Sequence, residues 1–265
     1  MSTKICIIGG GNLGLSITNG LLSNKNFDSK LLNISKRNTD SIKHLKSRGV
    51  SVFLDNVKAI KEVDLILIAV KPYDVAIVLN QIKNHIKPNQ IIVSVASGIT
   101  IKEILKHLEG NNVNPIYRAM PNTAAEIGES ITCIASSDML KINSEKVKSF
   151  FDLIGKTIYI KEELMDAATV LGACGIAFVL RFIRSMAQGG IQIGFDVKTA
   201  TEIVNQVVLG ASTLLIERNT HPEQEIDKVT TPKGCTINGL NELEHNGFSS
   251  ALIKGINTSY LGLKK

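Results

Sequence analysis

Tryptophan is absent from this chain of 265 residues, and aromatic residues make up only 5% of it. A base-stacking platform for single-stranded nucleic acid needs such rings, so that class of binder is disfavoured. Cysteine is sparse: Cys6, Cys133, Cys174 and Cys235 are scattered, with no Cys-x-x-Cys pair and no metal spacing. That usage fits a reducing cytoplasm. Long uninterrupted apolar runs are also lacking. Asp64 and Lys71 bracket the run 65–70, and the run from Leu171 stops at Arg181; both fall far short of the ~20 residues of a spanning helix. No secretory pattern precedes the first strand-like run, 4–8. The net charge is +6, but Lys and Arg are dispersed. This reads as a solvated basic surface with one or two anion sites. Neither nucleic acid nor membrane is expected as a partner. The five histidines, His44, His85, His107, His221 and His245, form no catalytic pair; the first three read as surface residues and His221 as local structure before Pro222.

What is present is a strong apolar fraction, 44%, enough for a sizeable core. Strand-like runs at 4–8, 31–34, 51–53, 65–70, 91–95, 115–119, 131–135 and 157–160 alternate with helical stretches at 13–23, 39–47, 73–86, 101–108 and 144–154. Strands alternating with helices predict a parallel sheet covered on both faces. The strands are continuously apolar, as burial on both faces requires. After Lys161 no convincing strand remains. Helices are expected over 162–192, interrupted near Gly172 and Gly175, then over 198–217, 223–228, 236–245 and 249–261. The chain thus divides into a doubly wound α/β domain, 1–160, and an all-helical domain, 161–265. Ile176, Phe178, Val179, Phe182, Val204, Val207, Val208, Leu214 and Leu215 exceed what one small bundle can hide. Packing against a second copy is therefore expected, as a homodimer or within a higher homo-oligomer.

Gly9-Gly10-Gly11-Asn12-Leu13-Gly14 follows the first strand directly and opens the first helix. A Gly-x-Gly-x-x-Gly run is weak alone but gains weight in that context. Gly9 permits the tight turn, Gly11 lets the backbone approach a pyrophosphate, and Gly14 allows close helix–sheet packing. An NAD site usually carries an acid at the end of the second strand. Here that point reads Ser35-Lys36-Arg37, and the first acid is Asp40. A hydroxyl and two cations suit a 2′-phosphate, so NADPH is expected over NADH. Val70-Lys71-Pro72, Ala96 within the segment 94–98, and Asn122 lie at the ends of later strands and are further candidates for the cofactor crevice. Asn122 either bonds the nicotinamide amide or caps a turn.

Near the far end, Thr230-Thr231-Pro232-Lys233-Gly234-Cys235-Thr236 runs from a turn through a small-residue bend into a helix. Such a helix N-terminus presents several backbone N–H groups and binds a carboxylate without a basic side chain.

Together these pieces resemble pyrroline-5-carboxylate reductases. The resemblance rests on the glycine loop, Asn56, Val70-Lys71-Pro72, Arg118-x-Met120-Pro121-Asn122-Thr123, Glu163-Leu164-x-Asp166-Ala167 and the segment from Asp227 to Gly239. It implies a Rossmann domain followed by a helical dimerisation domain, with NAD(P)H-dependent reduction of a cyclic imine to L-proline. It also implies that Asn56 touches the cofactor, that Thr236 faces the substrate nitrogen, and that the backbone of Gly234, Cys235 and Thr236 holds the carboxylate. Glu163 matches a family acid near the ligand, or is a helix-start residue favoured by the dipole. Two departures stand out. Lys233 replaces the family's first signature glycine, and the run 172–178 lacks the family's proline and several hydroxyls. A diverged imine reductase, a β-hydroxyacid dehydrogenase and a non-catalytic NADP(H)-sensing protein remain as alternatives. The second alternative needs a lysine on the long helix, and none occurs from Leu164 to Gln192.

Overall fold

The computed structural model describes residues 3–108, 114–137 and 140–264. The first half winds β1 (Ile5–Ile8), α1 (Asn12–Ser23), β2 (Leu32–Ser35), β3 (Ser51–Phe53), α2 (Asn56–Ala59), β4 (Leu65–Ile68), α3 (Pro72–Ile82), β5 (Ile91–Ser94), α4 (Ile101–Leu108) and β6 (Ile116–Met120). Then follow β7 (Ser130–Ser136), α5 (Lys141–Phe151) and β8 (Gly155–Tyr159). The eight strands form one sheet in the order β3-β2-β1-β4-β5-β6-β7-β8. Every adjacent pair is parallel except β6 and β7. The first six strands therefore follow the Rossmann order, and the topology reverses between β1 and β4.

The core is sorted by the two-residue period of the strands. Ile5, Ile7, Ile34, Leu65, Leu67 and Val93 pack on one face with Ile17 and Leu21 of α1 and Phe150 and Phe151 of α5. Cys6, Ile8, Ile66, Ile68 and Ile92 point the other way, onto Val75, Leu79 and Ile82 of α3 and Ile104 of α4. Both faces are covered, which is why these strands read as unbroken apolar runs. Burial pushes the thiols of Cys6 and Cys133 up, so both are inert fillers. The stretch expected as a helix over 39–47 is instead a 3₁₀ run, Asp40–Arg48. Its Ile42 and Leu45 are fully buried three residues apart, and the 3₁₀ period of three brings them to one side.

The second half comprises α6 (Met165–Ala168), a π-helical turn over Thr169–Cys174, α7 (Gly175–Gln192), α8 (Val197–Arg218), α9 (Pro222–Val229), α10 (Cys235–His245) and α11 (Phe248–Leu263). By contacts the chain divides into a unit ending at Cys174 and a second unit, Gly175–Leu263. This break comes later than the end of the sheet because the first turns of the helix belong to the sheet unit. Met165 packs with Met120 and Ala135, and Val170 is buried. The break coincides with the π turn, where Gly172 and Gly175 weaken the helix. In the second unit only Ala200 and Val204 are buried among the described residues. Folded as helices, Glu162–Gln192 and Val197–Arg218 are long and apolar enough to cross a membrane by length and composition. Counting only uninterrupted apolar runs in the sequence overlooked this, because isolated polar residues divide both helices.

Candidate cofactor and substrate sites

The topological reversal opens a cavity of about 750 Å³ at the carboxyl ends of the strands. Its floor is the turn from β1 to α1. Gly9 sits at φ +119 and a Cβ there would stand 2.3 Å from the Ala69 carbonyl oxygen, so only glycine fits. Its N–H donates to the Ser35 carbonyl at 2.9 Å, which ties the turn to β2. Gly11 is the N-cap of α1 and no side chain caps this helix. A Cβ on Gly11 would meet nothing within 4 Å. Open space in front of an uncapped helix N-terminus is the cradle a dinucleotide pyrophosphate needs. The residues present therefore fit the cofactor that the glycine loop implies.

Gly9, Gly11, Asn12, Leu13, Ser35, Lys36, Arg37, Asn56, Val70, Lys71 and Pro72 all line this cavity. Three other expected cofactor residues stand outside its wall. Gly14 is a packing residue: a Cβ there would be 2.1 Å from the Gly9 carbonyl oxygen. Ala96 is buried in the core between Val95 and Ser97, which do face the cavity. The Asn122 amide is committed at both ends. Its Oδ1 accepts from the Ala124 N–H at 3.0 Å, and its Nδ2 donates to the Gly172 carbonyl at 2.9 Å in the π turn. Of the two roles considered for Asn122, the cap is the one its bonds display.

The far wall is polar and organised. Ser35 Oγ donates to Asn56 Oδ1 at 2.7 Å, and Asn56 Nδ2 donates to Gln81 Oε1 at 2.9 Å. Asp55 caps α2 by accepting from Val57 N–H at 2.8 Å, which holds Asn56 at the start of that helix. Lys36 Nζ donates to Ser41 Oγ at 2.8 Å. The Arg37 guanidinium meets the Asp74 carboxylate at 3.3 Å. Asp74 and Gln81 escaped the sequence reading. They come from α3, far along the chain, and no local spacing announces them.

Glu163 is exposed and does not line the cavity. Its neighbour Glu162 makes the bonds instead. Glu162 Oε1 accepts from the Ile101 N–H at 2.7 Å and from Arg118 Nη1 at 3.2 Å. Arg118 is 3% exposed, and its Nε and Nη2 have no hydrogen-bond partner among the described residues.

In the helical unit, Gly234 is the N-cap of α10 and no side chain caps it. Cys235 and Thr236 form the first turn, so Thr236 is a helical residue and not the cap. A Cβ on Gly234 would stand 2.6 Å from Thr231 Oγ1 and 3.0 Å from the Thr231 carbonyl oxygen, so a larger residue there must displace the Thr231 side chain. Lys233 lies at φ +61, the left-handed region that favours glycine; lysine there costs on the order of 1 kcal/mol. His221 caps α9: its Nδ1 accepts from Glu223 N–H at 3.3 Å, and its own N–H donates to Gln224 Oε1 at 3.2 Å.

Comparison with known proteins covers the whole length. Residues 162–264 match the family model for pyrroline-5-carboxylate reductase dimerisation, and residues 4–98 match one described as NADP oxidoreductase coenzyme F420-dependent. Pyrroline-5-carboxylate reductase 1 of Dictyostelium discoideum is 46% identical over 96% of this chain and 48% of that protein, so the chain spans about half the length of that relative. Pyrroline-5-carboxylate reductase 2 of the same organism is 41% identical, over 96% of this chain and 89% of the relative. The solved structure of a pyrroline-5-carboxylate reductase from Coxiella burnetii superposes with a TM-score of 0.89 at 26% identity, covering 100% of this chain and 98% of that one.

Proposed function

The chain belongs to the pyrroline-5-carboxylate reductase family, and from that premise we propose that it reduces the cyclic imine 1-pyrroline-5-carboxylate to L-proline. The observation that carries the reading is the glycine-floored cavity at the topological switch point, with Ser35, Lys36 and Arg37 at one end. We assign it to NADPH, with NADH less preferred. The same reading makes the chain a cytoplasmic homodimer with a dinucleotide domain, 1–160, and a substrate and dimerisation domain, 161–265. The free cysteines Cys6, Cys133, Cys174 and Cys235 are in keeping with a reducing compartment.

A nicotinamide held in this cavity would supply the hydride. The chain supplies orientation and a dry setting. The uncapped N–H groups of α1, next to Gly11, Asn12 and Leu13, would hold the pyrophosphate, while Asn56 and the 35–37 segment would hold the adenosine end. At α10 the free N–H groups behind Gly234 bind the substrate carboxylate, favoured by the helix dipole. The Thr236 hydroxyl is the hydrogen-bond partner of the ring nitrogen. It positions and polarises the C=N bond rather than abstracting a proton, and the imine nitrogen is basic enough to pick up its proton in solution before it enters the site. Alcohol chemistry at oxygen would call for a lysine on the long helix, and the stretch from Leu164 to Gln192 has none.

NADPH oxidation followed at 340 nm on addition of the imine tests the reading. Turnover is expected with the parent, and Thr236→Ala is expected to lower it at least about tenfold with NADPH affinity nearly unchanged. No imine-dependent oxidation by the parent would overturn the function. Equal turnover in variant and parent would remove Thr236 from the site.

A further inference from the structure

The structure brings an acid to a place where the sequence has none. Nucleotide-binding folds that take NAD carry an Asp or Glu at the end of the second strand, where it accepts from the ribose hydroxyls. The end of β2 here is Ser35-Lys36-Arg37. Asp74, in the first turn of α3, faces the same cavity and reaches Arg37 at 3.3 Å. The two partners are unlike. The Asp74 side chain is 15% exposed and anchored on a helix, whereas Arg37 is 91% exposed at a strand end. The carboxylate is therefore the fixed member and the guanidinium the movable one.

We infer that Asp74 is a specificity-determining residue that narrows the gap between NADPH and NADH. This rests on the nucleotide reading of the cavity proposed above. Toward a 2′-phosphate, Asp74 acts twice against binding: it competes for the Arg37 guanidinium and it repels the incoming dianion. Toward a 2′-hydroxyl it acts in favour, because a carboxylate accepts from that hydroxyl in a charge-assisted hydrogen bond. Arg37 serves both ligands. It swings to the phosphate when one is there and stays on Asp74 when none is. Lys36 has a neutral partner, Ser41, at 2.8 Å and carries no such internal competitor. An exposed ion pair of this kind is weak, so a ligand phosphate displaces it readily.

Direct binding of the adenosine fragments separates this assignment from catalysis. The probes are 2′,5′-ADP and 5′-ADP, titrated by calorimetry into the full-length parent, Asp74→Asn and Arg37→Ala. Asn keeps the shape and removes the charge. Asp74→Asn is expected to tighten 2′,5′-ADP by about three- to tenfold and to weaken 5′-ADP by about threefold, with Arg37→Ala moving the ratio the opposite way. Binding of both probes with an unchanged ratio in Asp74→Asn overturns the Asp74 assignment alone. Binding of 2′,5′-ADP but not of 5′-ADP by the parent likewise overturns the Asp74 assignment alone, and failure of both probes to bind the parent overturns the nucleotide reading itself, and the assignment with it.

Discussion

Two glycines of one loop have different jobs, and their neighbours tell them apart. A Cβ on Gly14 would sit 2.1 Å from a backbone oxygen of the same loop, whereas a Cβ on Gly11 would meet nothing. Gly14→Ala must push α1 off the turn, and overpacking of that kind costs about 1–3 kcal/mol. Gly11→Ala stays at φ −82, which alanine adopts freely. Thermal unfolding is expected to drop by several degrees, about 2–4 °C per kcal/mol, for Gly14→Ala, with no measurable drop for Gly11→Ala. Nucleotide affinity is expected to fall in both. Equal melting temperatures would mean that the helix–loop approach is not tight. At this scale the sequence was informative wherever a residue's place depends on its chain neighbours, as with Gly9, Gly11, Ser35 and Lys36 in the cavity wall. It was silent on Asp74 and Glu162, whose partners Arg37 and Arg118 lie 37 and 44 positions away.

Among the elements, β1 and β4 were legible because burial on both faces leaves no polar position in them; the other strands carry polar residues such as Asn33, Ser94, Arg118 and Thr157 and were legible from the apolar residues around these. The long helix was legible as a helix and as an interrupted one, through Gly172 and Gly175. That the interruption takes the form of a π turn held by Asn122 was not, since it depends on a bond from the end of β6. The start of this helix is secured by Glu162, which joins the N-terminus of α4 to the buried Arg118 of β6. Removing the acid leaves a guanidinium at 3% exposure with no hydrogen-bond partner among the described residues and only the more distant charge of Glu103 to offset it. Loss of one member of a fully buried pair costs about 3–5 kcal/mol. The Glu162 side chain is 32% exposed, so solvent screening lowers the effect to roughly 2 kcal/mol. Glu162→Ala is expected to lower the urea midpoint by that free energy divided by the m value, roughly 1 M, at unchanged m value, and Glu162→Gln, which keeps an acceptor, by less. An unchanged midpoint for Glu162→Ala would mean that Arg118 draws its compensation from elsewhere.

For the whole molecule the decisive contrast is between the two units. The sheet unit hides its apolar residues on both faces, as composition and alternation foretold. The helical unit does not. Among its described residues only Ala200 and Val204 are buried, while Val179, Leu180, Val207, Leu209, Leu214 and Ile216 stand 41–73% exposed. Burial of apolar surface is the main favourable term in folding, and about 25 cal/mol per Å² is forgone wherever such side chains remain in water. Helices of this composition need either lipid or a second protein surface. The match of 162–264 to a dimerisation family favours the second. A symmetric pair would let the same apolar faces cover one another and so complete a core that one copy lacks. The chain is therefore expected to stay in aqueous buffer without detergent and to scatter light at twice its 28.7 kDa. The pair Val207→Glu and Leu214→Glu, which places charge on α8, is expected to shift the population toward monomer and to lower the melting temperature in a concentration-dependent way. A parent that is monodisperse as a monomer at micromolar concentration, or that partitions wholly into membranes, would end the dimer reading. The Rossmann unit and its nucleotide cavity would be untouched by that result, because every residue lining the cavity lies before Gly175.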